Sequence, residues 1–552
     1  MIGHTAERVL AGQTSHVDFD DPYSGLQAVL HAAVFRRFGV DLAHLRYLLV
    51  AGFCVWGVAA WAILRRRFQP ISASIIAAFT GVGSLLTYPS PMPSWYATFT
   101  CTFALWMVIR WTEAQRYHHL FLAGVALGTG ILFKTTAIYG LGALVVALGM
   151  QIPRGTSVAM AVTRRVLIFS PALPVVWLSL QNAPGRSAAY FALPVIMLLV
   201  LANRTTQERE RVVTPPSPRV LLGSSMSTLL GISLPILFYI VFQSGVTGAA
   251  ALFDGWFTGP ASRLSLVTYD PPSFWVTVLV LINGVILLTI ATRRPTKYTA
   301  AVLITVMASL FVVNHDSLNT GIFLGAGYAV SVLALWCLRT RSLSDLGVLA
   351  ALMAGFVALV GIPFYAAAYV GYAGPVIGIA AALLAAEIGL ARLATVASML
   401  VGLATVSPVA FGVQSHGAMA PTEDFVQSSI PRVSLVTQES LSYYADVVAV
   451  VGQHRRGLPI WAGPDLPHIY FLTQSPSVTR HIYEFSDPDP YGGLFVQIVE
   501  HCVMVVVLNS GQTQVSPAPR SELLGLLRTH YDEFEIVAGH EIRWTNRVHL
   551  DC

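Results

Sequence analysis

The chain has 552 residues, 55% of them hydrophobic and only 11% charged, with a formal net charge of +5. Soluble domains carry about 25% charged residues, so this length and composition exclude one large soluble core and indicate a polytopic membrane protein. The basic residues sit in short clusters between apolar runs, which is the spacing that membrane topology requires and not a nucleic-acid footprint.

The first segment, residues 1–44, contains "TSHVDFDDPYSG", where Asp18, Asp20 and Asp21 crowd together ahead of Pro22, Tyr23, Ser24 and Gly25. Apolar runs suited to crossing a bilayer follow at roughly 45–64, 71–88, 95–112, 119–134, 136–152, 165–181, 189–202, 220–242, 274–292, 298–314, 320–338, 346–363, 366–386 and 392–412, about 13–14 spans in all. Residues 45–412 are therefore expected to form a transmembrane domain. After Gly412 the chain gains His, Asp, Glu, Arg and Pro, and residues 413–552 read as a soluble α/β domain. In that domain "LPIWAGPDLPHIYFLT" predicts a strand, a turn and a second buried element. "CVMVVVLN" predicts a buried strand, "SELLGLLRTHYDEF" a helix with Ser521 as N-cap, and "EIVAGHEIRWT" a hairpin.

Placing "RRRFQP" on the cytoplasmic side makes every second loop basic: Arg116; Arg154, Arg164 and Arg165; Arg204, Arg209, Arg211 and Arg219; Arg293, Arg294 and Lys297; Arg339 and Arg341; Arg392. The opposite short loops hold little beyond Lys134, Arg186 and Arg263. This puts residues 1–44, the loop 243–273, "NHDSLN" and the C-terminal domain outside a multi-pass protein of the cytoplasmic (plasma) membrane. No hydrophobic segment precedes the outward 1–44 stretch, so a further helix upstream of Met1 is expected, the alternative being translocation by the first span. Cys54, Cys101 and Cys337 fall in apolar runs as packing residues, whereas Cys502 and Cys552 can pair if the C-terminal domain faces an oxidising compartment.

A carboxylate beside a membrane can deprotonate an acceptor hydroxyl, or hold a hard divalent cation through its oxygens. The same cluster can also be a solvated loop that caps the following helix through Asp21 or Ser24. Lys134, at the outer end of an apolar run, suits a lipid phosphate or snorkels to the headgroups. Arg263 can grip phosphate bidentately, or belong to an interfacial loop anchored by Trp256 and Phe257.

The line carrying Arg8, Gly12, Asp18, Phe19, Pro22, Tyr23, Gly25, Phe38, Gly39 and Arg46 resembles the first extracytoplasmic loop of GT-C-type glycosyltransferases. These are integral membrane enzymes related to dolichyl-phosphate-mannose-dependent mannosyltransferases and bacterial polyprenyl-phosphate-sugar transferases. "TYPSPMPSWYATFTCTFALW" and "GTGILFKTTAIYGLGAL" resemble the family's next outer loop and its Lys-bearing segment, and "GPDLPHIYFLT" its soluble end domain. The resemblance implies a GT-C-like helical fold with an extracytoplasmic α/β domain, and transfer of a sugar from a polyprenyl-phosphate donor to a glycan, glycolipid or protein acceptor, with inversion. Asp18 matches the family's catalytic Asp, Asp20 is a second candidate, and Lys134 and Arg263 are the donor-phosphate candidates. Asp18, Asp20 and Asp21 are the candidates for a divalent cation (Mg or Mn). The second acidic residue that many relatives carry is missing from "PSPMPSW"; Asp20, Asp21, Asp254, Asp270 or Asp316 could supply it. A lipid or glycan transporter is the main competing class, disfavoured by nearly charge-free spans. A non-catalytic scaffold presenting the outer domain is the other.

Overall fold

The computed structural model describes residues 2–87, 89–152, 157–181, 191–209, 218–258, 334, 344–361, 367–400, 425–427, 430, 432–482, 491–509 and 521–546. The expected spans at 274–292 and 298–314, nearly all of 320–338, and Arg263, Asp270, Asp316 and Cys552 lie outside the described residues. The chain is a helical membrane protein with a C-terminal α/β domain, and it divides into two compact units. One comprises Met1–Leu49, Tyr239–Thr268 and Glu423–Cys552; the other comprises Val50–Phe238 and Tyr269–Thr422.

Among the described residues, three helices are long and apolar enough to cross a membrane: Leu42–Leu64, Val158–Leu180 and Arg219–Phe242. Their outward faces carry exposed Val55 and Val58, or Leu229, Leu234 and Phe238, as suits helices that meet lipid. Shorter apolar helices fill the same unit, including Tyr117–Phe133, Asp345–Gly361 and Gly371–Glu387. The helix Pro93–Ala114 opens with Pro at its first position, where a missing N–H costs nothing, and reverses at left-handed Gln115 into Tyr117–Phe133. Inside, Trp95 packs edge-on against Phe53 and Tyr372 at ring separations of 5.0 and 4.8 Å. Trp56 Nε1 donates to Thr102 Oγ1 at 3.0 Å, giving a buried polar atom its partner. Helix Tyr117–Phe133 crosses helix Pro218–Phe253 at backbone contact. A Cβ at Gly124 or Gly128 would strike the main chain of Thr228 or Ile232, and one at Gly231 that of Phe121.

The other unit is built on a four-stranded sheet of order β3-β4-β6-β5, with β3 Ile460–Gly463, β4 Val505–Asn509, β5 Glu533–Val537 and β6 His540–Trp544. β3 and β4 are parallel, and the other pairings are antiparallel. Both faces of β4 are covered, which is why its sequence is apolar without alternation. Val505 and Val507 join Val447, Ile469 and Ile542 in one cluster, while Val506 and Leu508 join Trp461, Leu527 and Tyr531 in the other. The expected strands, helix and hairpin are present, the hairpin turning at Ala538 and Gly539, but Ser521 is the first helical residue and not the N-cap, and the helix ends at His530 because Glu533 and Phe534 join β5. Two short strands, β1 Phe425–Gln427 and β2 Leu435–Thr437, pair separately.

The N-terminal helices α1 (Ile2–Leu10) and α2 (Leu26–Phe38) belong to this unit. Ala6, Phe35 and Leu45 share a core with Ile430, Val433, Phe471 and Leu472. Gly3 allows the close approach, since a Cβ there would lie 2.7 Å from the Phe471 ring.

Candidate functional site

The chain leaves α1 at Gly12, whose φ of +90° favours glycine, and folds the acidic stretch into a tight loop. Arg8 at the end of α1 organises that loop. Its Nη2 donates to the Asp18 carbonyl at 2.9 Å, Nη1 to the Thr479 carbonyl at 3.0 Å, and Nε to Gln13 Oε1 at 2.6 Å. The guanidinium also lies over the Phe19 ring, 4.8 Å from its centroid. Burial pulls Arg8 down to about 10, which leaves it charged at neutral pH.

The three carboxylates have different surroundings. Asp18 is exposed, and its Oδ2 accepts from the Thr14 N–H at 2.7 Å. Among the described residues, no group is bonded to its Oδ1. Asp20 is half-buried, with Arg480 Nε at 3.0 Å from Oδ1 and His481 Nδ1 at 2.8 Å from Oδ2. Burial by itself would raise its pKa, but hydrogen bonds from His481 and Arg480, with their charge, hold it below the ordinary carboxylate value. Asp21 is buried; it accepts from the Tyr23 N–H at 2.9 Å and from Ser15 Oγ at 3.2 Å. The start of α2 is capped by neither Asp21 nor Ser24. Gly25 occupies the N-cap with a φ of +96°, and Asp21 braces the turn before it.

Residues of the 239–258 segment close over the loop. Trp256 is buried, with Nε1 donating to the Ser24 carbonyl at 2.9 Å, so it packs inside the unit, unlike the anchor in the interfacial alternative for this loop. A Cβ at Gly255 would collide with the His16 ring, and one at Gly25 with the Tyr239 hydroxyl. Arg480, His481 and Tyr239 were not singled out in the sequence, because no local motif marks them; only the fold brings them to the loop.

Lys134 lies in the other unit, buried where helix Tyr117–Phe133 ends, and its Nζ donates to Ser94 Oγ at 2.8 Å. Arg263 lies outside the described residues. Among the described residues, no three His, Cys, Asp or Glu side chains are placed to share a metal ion. Asp18, Asp20 and Asp21 each have separate hydrogen-bond partners.

No family model matches the chain, and no curated protein does. Among solved structures it is similar to ArnT from Cupriavidus metallidurans bound to undecaprenyl phosphate. The identity is 12%, over 98% of this chain and 92% of that one, with a TM-score of 0.34. At that score the likeness assigns no chemistry to this chain.

Proposed function

We propose that the protein is a GT-C-type membrane glycosyltransferase, moving a sugar from a polyprenyl-phosphate donor to a cell-envelope acceptor outside the cytoplasmic membrane. The observation that carries the reading is Asp18. It is an exposed carboxylate with one oxygen fixed by the Thr14 N–H and its carbonyl pinned by Arg8, and among the described residues no group is bonded to Oδ1. A general base needs that combination of fixed orientation and an accessible lone pair. It stands at the position where the sequence resembles the family's catalytic Asp.

In this mechanism Oδ1 takes the proton of the acceptor hydroxyl as the acceptor oxygen bonds to the anomeric carbon. The bond from that carbon to the phosphate oxygen breaks, and the polyprenyl phosphate leaves with the electron pair. One displacement inverts the anomeric centre, and no sugar–enzyme bond forms. Arg263 is assigned to the donor phosphate on chemical grounds, since its guanidinium suits a dianionic leaving group. Asp20 is held by Arg480 and His481 and is therefore assigned to the loop's geometry and not to proton transfer. Cys502 is disulfide-bonded, which supports an oxidising, outer location for the C-terminal domain.

Asp18→Asn tests the reading. Loss of a general base is expected to lower transfer by about 10²–10⁴-fold, seen as loss of a glycan from the cell envelope while protein level and fold are kept. An envelope glycan composition identical to that of the wild type would overturn it.

A further inference from the structure

We infer that Arg480, with His481, is a positioning residue for Asp18: a clamp from the C-terminal domain that grips the loop on both sides of the base. The inference rests on the assignment of Asp18 above. Arg480 reaches the loop two residues before Asp18 and two residues after it. Its Nη2 donates to the His16 carbonyl at 3.3 Å, and its Nε donates to Asp20 Oδ1 at 3.0 Å. The backbones join too: the Asp20 N–H donates to the Arg480 carbonyl at 2.8 Å, and Asp20 pairs with His481 as an isolated parallel bridge. His481 Nδ1 holds the second oxygen of Asp20 at 2.8 Å. Arg8 repeats the linkage, its one guanidinium bonding both the Thr479 and Asp18 carbonyls.

The clamp has a rigid base. Ser477 pairs with Ile460 of β3, the Thr479 N–H donates to Ser477 Oγ at 3.3 Å, and Thr479 Oγ1 donates to the His481 carbonyl at 3.3 Å. Residues 477–481 therefore link the edge of the sheet at Ile460 to the loop through two isolated bridges. A carboxylate on a surface loop is disordered unless its neighbours are held, and a general base loses rate steeply with misplacement. Arg480 itself is half-exposed, so its ion pair adds little to global stability. Its contribution is local geometry, which separates a positioning role from a stabilising one.

The test uses the full-length protein in lipid nanodiscs for amide exchange and thermal unfolding, and the same variants in cells for envelope glycan product. Arg480→Ala is expected to speed exchange at the His16, Asp18 and Asp20 amides by about tenfold, the size of one lost charge-assisted hydrogen bond. Product is expected to fall by a similar factor while the unfolding midpoint stays put. Arg480→Lys, which keeps the charge opposite Asp20, should recover most of the product. Unchanged exchange at the three amides overturns the clamp, and faster exchange with full product overturns the positioning role. If Arg480→Ala does not fold, Asp20→Asn is read by the same two criteria. Asp18→Asn is run alongside: wild-type product there defeats the glycosyltransferase reading, while amide exchange in the Arg480 variants still decides the clamp.

Discussion

Asp18, Asp20 and Asp21 show how far residue type underdetermines role. They are three carboxylates within one turn of chain, yet one is exposed and accepts from the Thr14 N–H, one is tied to Arg480 and His481, and one is buried against Ser15 and the Tyr23 N–H. Asp20 makes a pH prediction. Its folded-state pKa is depressed, so its contribution to stability is present above the ordinary carboxylate value and lost as pH falls through the lower, folded value. Asp20→Asn lacks that contribution at any pH. A small gap in unfolding midpoint between wild type and Asp20→Asn is therefore expected to be open near neutral pH and to close as pH falls below the ordinary carboxylate value. A constant gap across that range would contradict the assignment. The acidic loop itself was legible in the sequence, because three carboxylates ahead of Pro22 and Gly25 form a local pattern. The roles of Asp20 and Asp21 were not, because their partners include a residue more than four hundred positions away and a turn whose geometry no single residue dictates.

At the scale of elements, hydrophobic runs located the helices and strands, and glycines decided how closely two of the helices approach. Gly124 and Gly128 on one helix and Gly231 on the other leave main chain against main chain. Gly128→Leu is expected to cost about 1–3 kcal/mol or more through overpacking, read as a lower unfolding midpoint in detergent. Gly57→Ala serves as the control, since a Cβ there meets nothing within 4 Å. A midpoint unchanged by Gly128→Leu would mean that the two helices do not cross at these glycines. Gly255 and Gly25 make a similar point in the loop, where His16 and Tyr239 occupy the space that a side chain would need. In the sequence these glycines look like many others in apolar runs, and periodicity cannot tell a crossing point from a lipid-facing position.

For the whole molecule, the main finding is that the two ends of the chain fold as one unit. α1 and α2 share their core with Phe471, Leu472, Ile430 and Val433 of the C-terminal domain. Phe471 is central: it is buried, it stacks on Phe35 at 6.2 Å, and it lies against Gly3. Phe471→Ala is expected to destabilise this unit by roughly 3–5 kcal/mol. It should also raise amide exchange across α1 and the 14–20 loop together, since both rest on that core. Faster exchange confined to the Phe471 neighbourhood would show that the N-terminal segment holds its shape independently. The sequence presented residues 1–44 and 413–552 as separate outer segments, because composition changes along the chain and contains no information about which distant segments share a core.

The sequence by itself determined the class of molecule. Charge depletion and long apolar runs require a bilayer, and the run "CVMVVVLN" requires a strand buried on both faces. These are local or compositional properties, set by transfer free energy and backbone period. Tertiary structure alone decided that Arg480 and His481 reach the acidic loop, that Asp20 is held by them, and that Trp256 packs on Ser24 instead of anchoring at an interface. Those outcomes depend on which surfaces exclude water together once the chain has closed, a property of the packed chain and not of any stretch read in order.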